Sequence, residues 1–277
     1  MSAIIFLVIG SAGIETLLMP SSPIGVTNGF SMANNTEAIF YNPANFEAGD
    51  NFNINCFYNR VYVSMQSFSL ALGKRIKSVD LGLAIVNFDY GDMEWHPDYP
   101  TEDPLISYTG NDLSIIICTG IKVSSLGRIG LNMKWVYENI YTYSDFALAF
   151  DLAFSYRNAQ NGISFGVSNF GSTITLNNED VNLPARLSFG GFYSISRVKA
   201  SLDMHYLINN SLFKFGLGLD YPINELLELK GALNYQEDFY PGFGVTINPG
   251  SLQIKYGAAF YPNDLGMINT IGVGIDF

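Results

Sequence analysis

The sequence predicts an all-β protein: a transmembrane, up-and-down antiparallel β-barrel of about fourteen strands, with a short N-terminal segment plugging its lumen. Three observations predict it. First, the stretch Met267 to Phe277 alternates strictly, with Ile271, Val273, Ile275 and Phe277 on one parity and Thr270, Gly272, Gly274 and Asp276 on the other. A strand sends successive side chains to opposite faces, so one face here is apolar and the other small and polar. Such a strand suits a wall between lipid and a wet or tightly packed lumen. Second, the chain is mildly apolar, yet after its N-terminus no run approaches the ~20 apolar residues of a spanning helix. Third, alternating segments recur from residue 51 to the end, in an even number.

The totals agree. At 277 residues the chain has room for one large all-β domain or two average ones. Only 14% of residues are charged, against 17 Tyr, 21 Phe and 27 Gly. The formal charge of −11 argues against a nucleic-acid partner, because neutralising phosphates takes Lys and Arg. Cys56 and Cys118 make neither a disulfide framework nor a metal site, and their opposite parities predict no disulfide. No metal or cofactor is expected.

Taken in order, residues 1–20 look like a secretory signal: AIIFLVIG supplies the apolar core and Ser11, Ala12 and Gly13 the small residues of a cleavage region, although a basic leader is lacking. The alternative is a first buried strand. Residues 21–50 do not alternate. Asn35 or Thr36 is placed to cap a short helix over Glu37 to Tyr41, which Pro43 ends. An irregular segment has no place in lipid, so 21–50 is expected in the lumen or at the periplasmic rim.

Residues 51–277 form the barrel. Phe52, Ile54, Cys56 and Tyr58 oppose Asn51, Asn53 and Asn55. Segments follow at Phe68–Leu72, Leu81–Ile85 and Ile115–Ile121, and Ile129 to Tyr137 alternate against Arg128 to Lys134. Phe146, Leu148, Phe150, Leu152 and Phe154 oppose Asp145, Ala147, Ala149, Asp151 and Ala153. Seven more segments begin near Ile163, Ala185, Val198, Leu212, Leu226, Tyr240 and Leu252 before the closing strand. Short turns are expected at the periplasmic end and longer loops outside, the longest being Asp89–Asp112 and Asn169–Leu183. Lys74, Arg75, Lys77, Arg157 and Arg197 lie at short turns, whereas Asp89–Asp103 carries six acids and no base.

With the strands laid out, EAIFYNPANF (Glu37, Ala38, Asn42, Pro43 and Ala44 within it) resembles the plug signature of the PorV/PorQ family, a branch of the barrels similar to the fatty-acid transporter FadL. VNFDYGDMEW, YSDFALAFDLAFSYR, VSNFGSTITL with LPARLSFG, and YPNDLGMINTIGVGIDF continue the resemblance in order. It implies a fourteen-stranded, plugged barrel of the bacterial outer membrane, set in its lipid. The terminal strand, with Val273, Ile275 and Phe277, resembles the signal read by the barrel-assembly machinery. For PorV/PorQ members the resemblance implies an accessory of the type IX secretion system that docks a secreted protein on its outer loops. For FadL-like members it implies transport of small hydrophobic compounds. The chain departs from the PorV/PorQ pattern in a thin glycine stretch (Gly25, Gly29) and short outer loops.

Other patterns have blander readings. Gly162 to Gly166 fits the nucleophile-elbow spacing, but Ser164 sits in an alternating strand with no helix after it. His96 lies in the acidic loop and His205 on a lumen parity, where hydrogen bonding is its expected role. Asp92, Glu94, Trp95 and Asp98 are the candidate partner-binding residues of the outer loop, solvation being the default for such a charged run. The lumen-parity charges, Arg128, Lys134, Asp151, Arg186, Asp203, Lys214 and Lys255 among them, are expected to pair with one another and with the plug. No enzyme activity is expected.

Overall fold

The computed structural model describes residues 16–17, 19–61, 65–95, 103–262 and 266–277. Among the described residues sixteen strands follow one another: β1 Asn53–Val61, β2 Met65–Ile76, β3 Val79–Trp95, β4 Ile106–Lys122, β5 Arg128–Ile140 and β6 Tyr143–Arg157. Next come β7 Asn161–Gly171, β8 Thr173–Leu176, β9 Glu179–Asn182, β10 Arg186–Ile195 and β11 Val198–Leu207. The last are β12 Leu212–Pro222, β13 Leu227–Gln236, β14 Asp238–Ile247, β15 Leu252–Tyr261 and β16 Gly266–Asp276. Fourteen of them close into an antiparallel barrel, and β8 and β9 form a separate two-stranded hairpin. Closure runs through β1 and β16, Asn53 facing Asp276 and Arg60 facing Asn269. The Phe277 N–H donates to the Phe52 carbonyl oxygen at 3.1 Å, which ties the chain end to the first strand. A closed ladder leaves no edge for another strand to join.

Burial confirms which parity faces out. Leu152 and Phe165 are each 56% exposed, while Asp151 and Ser164 beside them are 3% and 2% exposed. The apolar side chains form an outer belt and the polar ones fill the inside, the inverse of a water-soluble domain. Inside, several of the charges expected to pair do so, Lys134 with Asp151 at 2.7 Å, Lys230 with Asp220 at 2.8 Å, and Lys255 with Glu37 at 2.6 Å, whereas Arg186 and Lys214 form no ion pair among the described residues. Asp80 sits between Arg75 and Arg128. Cys56 and Cys118 are free thiols on opposite faces of the wall.

The strands reach further than the sequence indicates. The expected loop Asp89–Asp112 is mostly ladder, since Asp92 pairs with Thr109, Glu94 with Ser107 and Trp95 with Ile106. β3 and β4 are 17 residues long, whereas about 9–11 cross a bilayer. That length leaves room for their outer ends to project beyond a bilayer, where Asp89 accepts from Gln66 Nε2 at 3.1 Å and from the Gly91 N–H at 2.9 Å. The second expected loop, Asn169–Leu183, contains the β8–β9 hairpin. Asp98 and His96 lie outside the described residues.

The N-terminal segment runs inside the barrel. The expected helix over Glu37 to Tyr41 is a 3-10 turn, Asn35–Phe40, followed by a second at Pro43–Asn45. Asn34 precedes the first turn without capping it, and Thr36 instead donates its hydroxyl to Asn53 on the wall. Wall contacts outweigh local capping here because the segment is enclosed. Ile39 and Phe46 are fully buried, each burial being worth about 1.5–3 kcal/mol. Of the expected signal, 1–15 and 18 lie outside the described residues, while Thr16, Leu17, Met19 and Pro20 sit within the barrel; the Ser114 hydroxyl donates to the Thr16 hydroxyl at 2.9 Å.

Candidate functional site

The site is built from hairpin ends at the outer rim. The outer ends of β3 and β4, the turn between β5 and β6, and the β8–β9 hairpin line an apolar groove of about 400 Å³. Trp95, Ile106 and Tyr108 form one side, Ile140, Tyr141 and Tyr143 the base, and Leu176 and Val181 the far side. Asn177 and Glu179 supply its polar edge. The rings of Tyr108 and Tyr141 meet edge to face at 5.9 Å.

Its floor continues inward in two directions. Tyr108 and Ile140 pack on a buried lumen cluster of Phe88, Tyr90, Met93, Val61 and Ile268. Leu176 and Val181 pack on a second, with Val136, Ala147, Ile174 and Leu183. The ladder is interrupted beneath both. β3 bulges at Tyr90–Gly91, opposite Gly110. β7 bulges at Ser168–Asn169, opposite Asp151. Few convergent polar groups in an apolar concavity of this size suit a small hydrophobic molecule.

The plug occupies the lumen below. Asn42 and Asn45 both donate from Nδ2 to the Phe30 carbonyl oxygen, at 3.0 and 3.1 Å, and Ala44 N–H donates back to Asn42 Oδ1 at 3.1 Å. The Glu37 carboxylate meets Lys255 Nζ at 2.6 Å and accepts from the Ile24 N–H at 3.3 Å. Tyr41 receives the backbone N–H groups of Ser21 and Ser22 at its hydroxyl, at 3.0 and 2.9 Å. Ala38 is fully buried.

Of the outer-loop candidates, Trp95 enters the groove, while Asp92 and Glu94 are exposed along β3. Val273, Ile275 and Phe277 all lie on the exposed face. Ser164 is a buried strand residue whose hydroxyl donates to Ser155 Oγ at 2.9 Å. Ser188 and His205 Nδ1 are 2.9 Å apart, but Asp203 is committed to the Phe30 and Ser31 N–H groups, both at 2.9 Å, and is not the imidazole's partner. The groove residues Tyr108, Ile140, Tyr141, Leu176 and Val181 were not legible as a site. Their one signal was a cluster of tyrosines at hairpin ends that face each other only after folding.

No protein-family profile and no curated protein sequence matches this chain. Solved structures do. The toluene transporter TbuX of Ralstonia pickettii is similar with a TM-score of 0.71 at 12% identity, over 92% of this chain and 98% of that one. The toluene transporter TodX of P. putida gives a TM-score of 0.74 at 10% identity, over 93% and 98%. A FadL homologue of Pseudomonas aeruginosa gives 0.65 at 10% identity, over 96% and 98%. At these identities the likeness shows the fold: the chain is a closed fourteen-stranded barrel of the outer-membrane type, with FadL-like transporters among its structural neighbours.

Proposed function

We propose that the protein admits small hydrophobic compounds at its outer rim and carries them across the bacterial outer membrane. The observation that carries this reading is the continuity of the outer groove with the buried clusters around Tyr90 and Ile174. An apolar molecule passes from water into such a path downhill, at about 25 cal/mol per Å² of surface buried. The plug packs against the wall through Ile39 and Phe46, so the axis is a poor route. The two bulges, where the ladder is already interrupted, favour a sideways exit into the bilayer. In this proposal residues 21–50 are the plug and 51–277 the barrel, while Thr16, Leu17, Met19 and Pro20, packed inside the barrel, count against removal of the whole of 1–20 as a leader.

The test is uptake by cells whose outer membrane lacks other hydrophobic channels, with a labelled monoaromatic hydrocarbon as probe. Expression should speed uptake, and closing the groove with Leu176→Arg should abolish the gain while the barrel still assembles. Equal uptake with and without the protein would end this reading.

A second reading, PorV/PorQ-like docking of a secreted protein, is favoured by the ordered sequence phrases and by the exposed acids Asp92, Glu94, Glu179 and Asp180 at the outer tips. Co-isolation of secreted proteins from native membranes, lost when the outer halves of β3 and β4 are cut back, would support it. Recovery of the barrel alone would count against it.

A further inference from the structure

Apart from the outer groove, the lumen holds a chamber of about 120 Å³ between the N-terminal segment and the wall strands β10 to β13. Its chemistry is opposite in character to the groove. Arg186, His205 and Lys214 line it from three neighbouring strands. Ser188 pairs in register with His205, and His205 with Lys214, while Arg186 lies two residues before Ser188 on the same face. The three side chains therefore form one contiguous patch.

The carboxylates nearby are already engaged. Asp151 is held by Lys134 at 2.7 Å, and Asp203 takes two backbone N–H groups of the plug. Among the described residues neither Arg186 nor Lys214 has a carboxylate within ion-pair distance, and the buried Arg186 Nε has no hydrogen-bond partner. A buried donor without an acceptor is unfavourable by about 1–3 kcal/mol, more when charged. Two cations without a carboxylate in direct contact, one of them with a buried unpartnered Nε–H, are a local deficit that a bound anion would offset. The chamber suits a compact oxyanion with a water or two, and is too small for an acyl chain.

We propose that this chamber is a binding site for a small inorganic oxyanion of phosphate or sulfate size, held by the Arg186 guanidinium and the Lys214 ammonium. Arginine's planar fork matches two oxygens of such an ion, and lysine serves as a point charge beside it. The bound anion would link β10 and β12 to the Phe30–Ser31 turn that Asp203 anchors. This proposal is independent of what the outer groove admits.

The experiment uses the full barrel in a non-ionic detergent, with inorganic phosphate as probe and chloride holding ionic strength constant. Equilibrium dialysis with labelled phosphate should show one saturable site, and thermal unfolding should shift upward in parallel. Arg186→Gln and Lys214→Gln should each weaken binding at least tenfold. Among the described residues neither removes a side-chain hydrogen bond or ion pair, and folding is checked by heat-dependent migration on a gel. Lys74→Gln, at the periplasmic turn, should bind as the wild type does. Absence of saturable binding, or equal affinity in folded Arg186→Gln, would overturn the proposal. So would binding of long-chain carboxylates in the absence of any phosphate binding, lost in Arg186→Gln, since the chamber would then belong to a transport path.

Discussion

A Cβ placed on Gly130 would stand 2.0 Å from the carbonyl carbon of Pro43. Wall and plug touch there backbone to backbone, and Gly242 receives the Val26 carbonyl oxygen equally closely, at 2.0 Å from its own ideal Cβ. The plug is thus seated by absences in the wall as much as by bonds. Gly130→Val should push the Pro43–Asn45 turn inward and destabilise the barrel by about 1–3 kcal/mol, the usual penalty of overpacking. In planar bilayers the variant should conduct ions several-fold better than the wild type. Unchanged conductance with lowered stability would mean that the plug yields without opening a path.

The Glu37–Lys255 pair predicts an acid-sensitive plug. Burial alone would raise the Glu37 carboxyl, but the Lys255 ammonium and the hydrogen bonds from Lys255, Ser22 and the Ile24 N–H more than offset it, and the group lies below the usual carboxylate range. A carboxylate lowered on folding stabilises the native state fully above its unfolded value, about 4.3, and the contribution fades as pH falls through the folded value. Glu37→Gln should therefore unfold at a lower temperature than wild type at pH 7, and the gap should narrow below about pH 4. Lys255→Met should be worse at neutral pH, by about 3–5 kcal/mol, because it strands a buried carboxylate. Parallel melting curves for wild type and Glu37→Gln across that range would refute the coupling.

The groove can be read by fluorescence, since Trp95 lines it and Trp135, the other tryptophan, is 54% exposed on the outer belt. In a Trp135→Phe background, a monoaromatic ligand should quench Trp95 saturably. Tyr108→Ala removes the ring that meets Tyr141 and should weaken binding roughly fivefold, about 1 kcal/mol. Quenching that rises linearly without saturation would indicate partition into detergent and no site.

Much of the barrel was legible because the period-two signal is local: Leu131, Met133 and Trp135 declare one face and Asn132 and Lys134 the other within a few residues. Strand ends were less so. Acids at Asp89 and Asp92 read as the end of a lipid-facing strand, but the ladder continues to Trp95 in water, where charge no longer stops it. The site was hardest to read. Tyr108, Tyr141 and Val181 meet only when three hairpins close, and Arg186 and Lys214 gain their significance from the carboxylates that other partners have taken. Such relations depend on register between distant strands, which composition and spacing do not carry.

The bulge in β7 ties these features together and allows a sharper test. Asn169 adopts φ of 58°, donates its N–H to Asp151 Oδ1 at 2.8 Å, accepts from Lys134 Nζ at 2.7 Å, and donates from Nδ2 to the Pro184 carbonyl oxygen at 3.2 Å. One residue therefore holds the left-handed backbone, orients the Lys134–Asp151 pair and fixes the chain where it leaves the β8–β9 hairpin. Asn169→Gly keeps the backbone and loses the two side-chain bonds, a destabilisation of about 2 kcal/mol at roughly 1 kcal/mol each. Asn169→Val loses the same bonds and also places a β-branched residue in a left-handed conformation, which adds about 1–2 kcal/mol. Urea unfolding in lipid vesicles should rank the three proteins in that order. If the glycine and valine variants were equally stable, the backbone at the bulge would carry no strain.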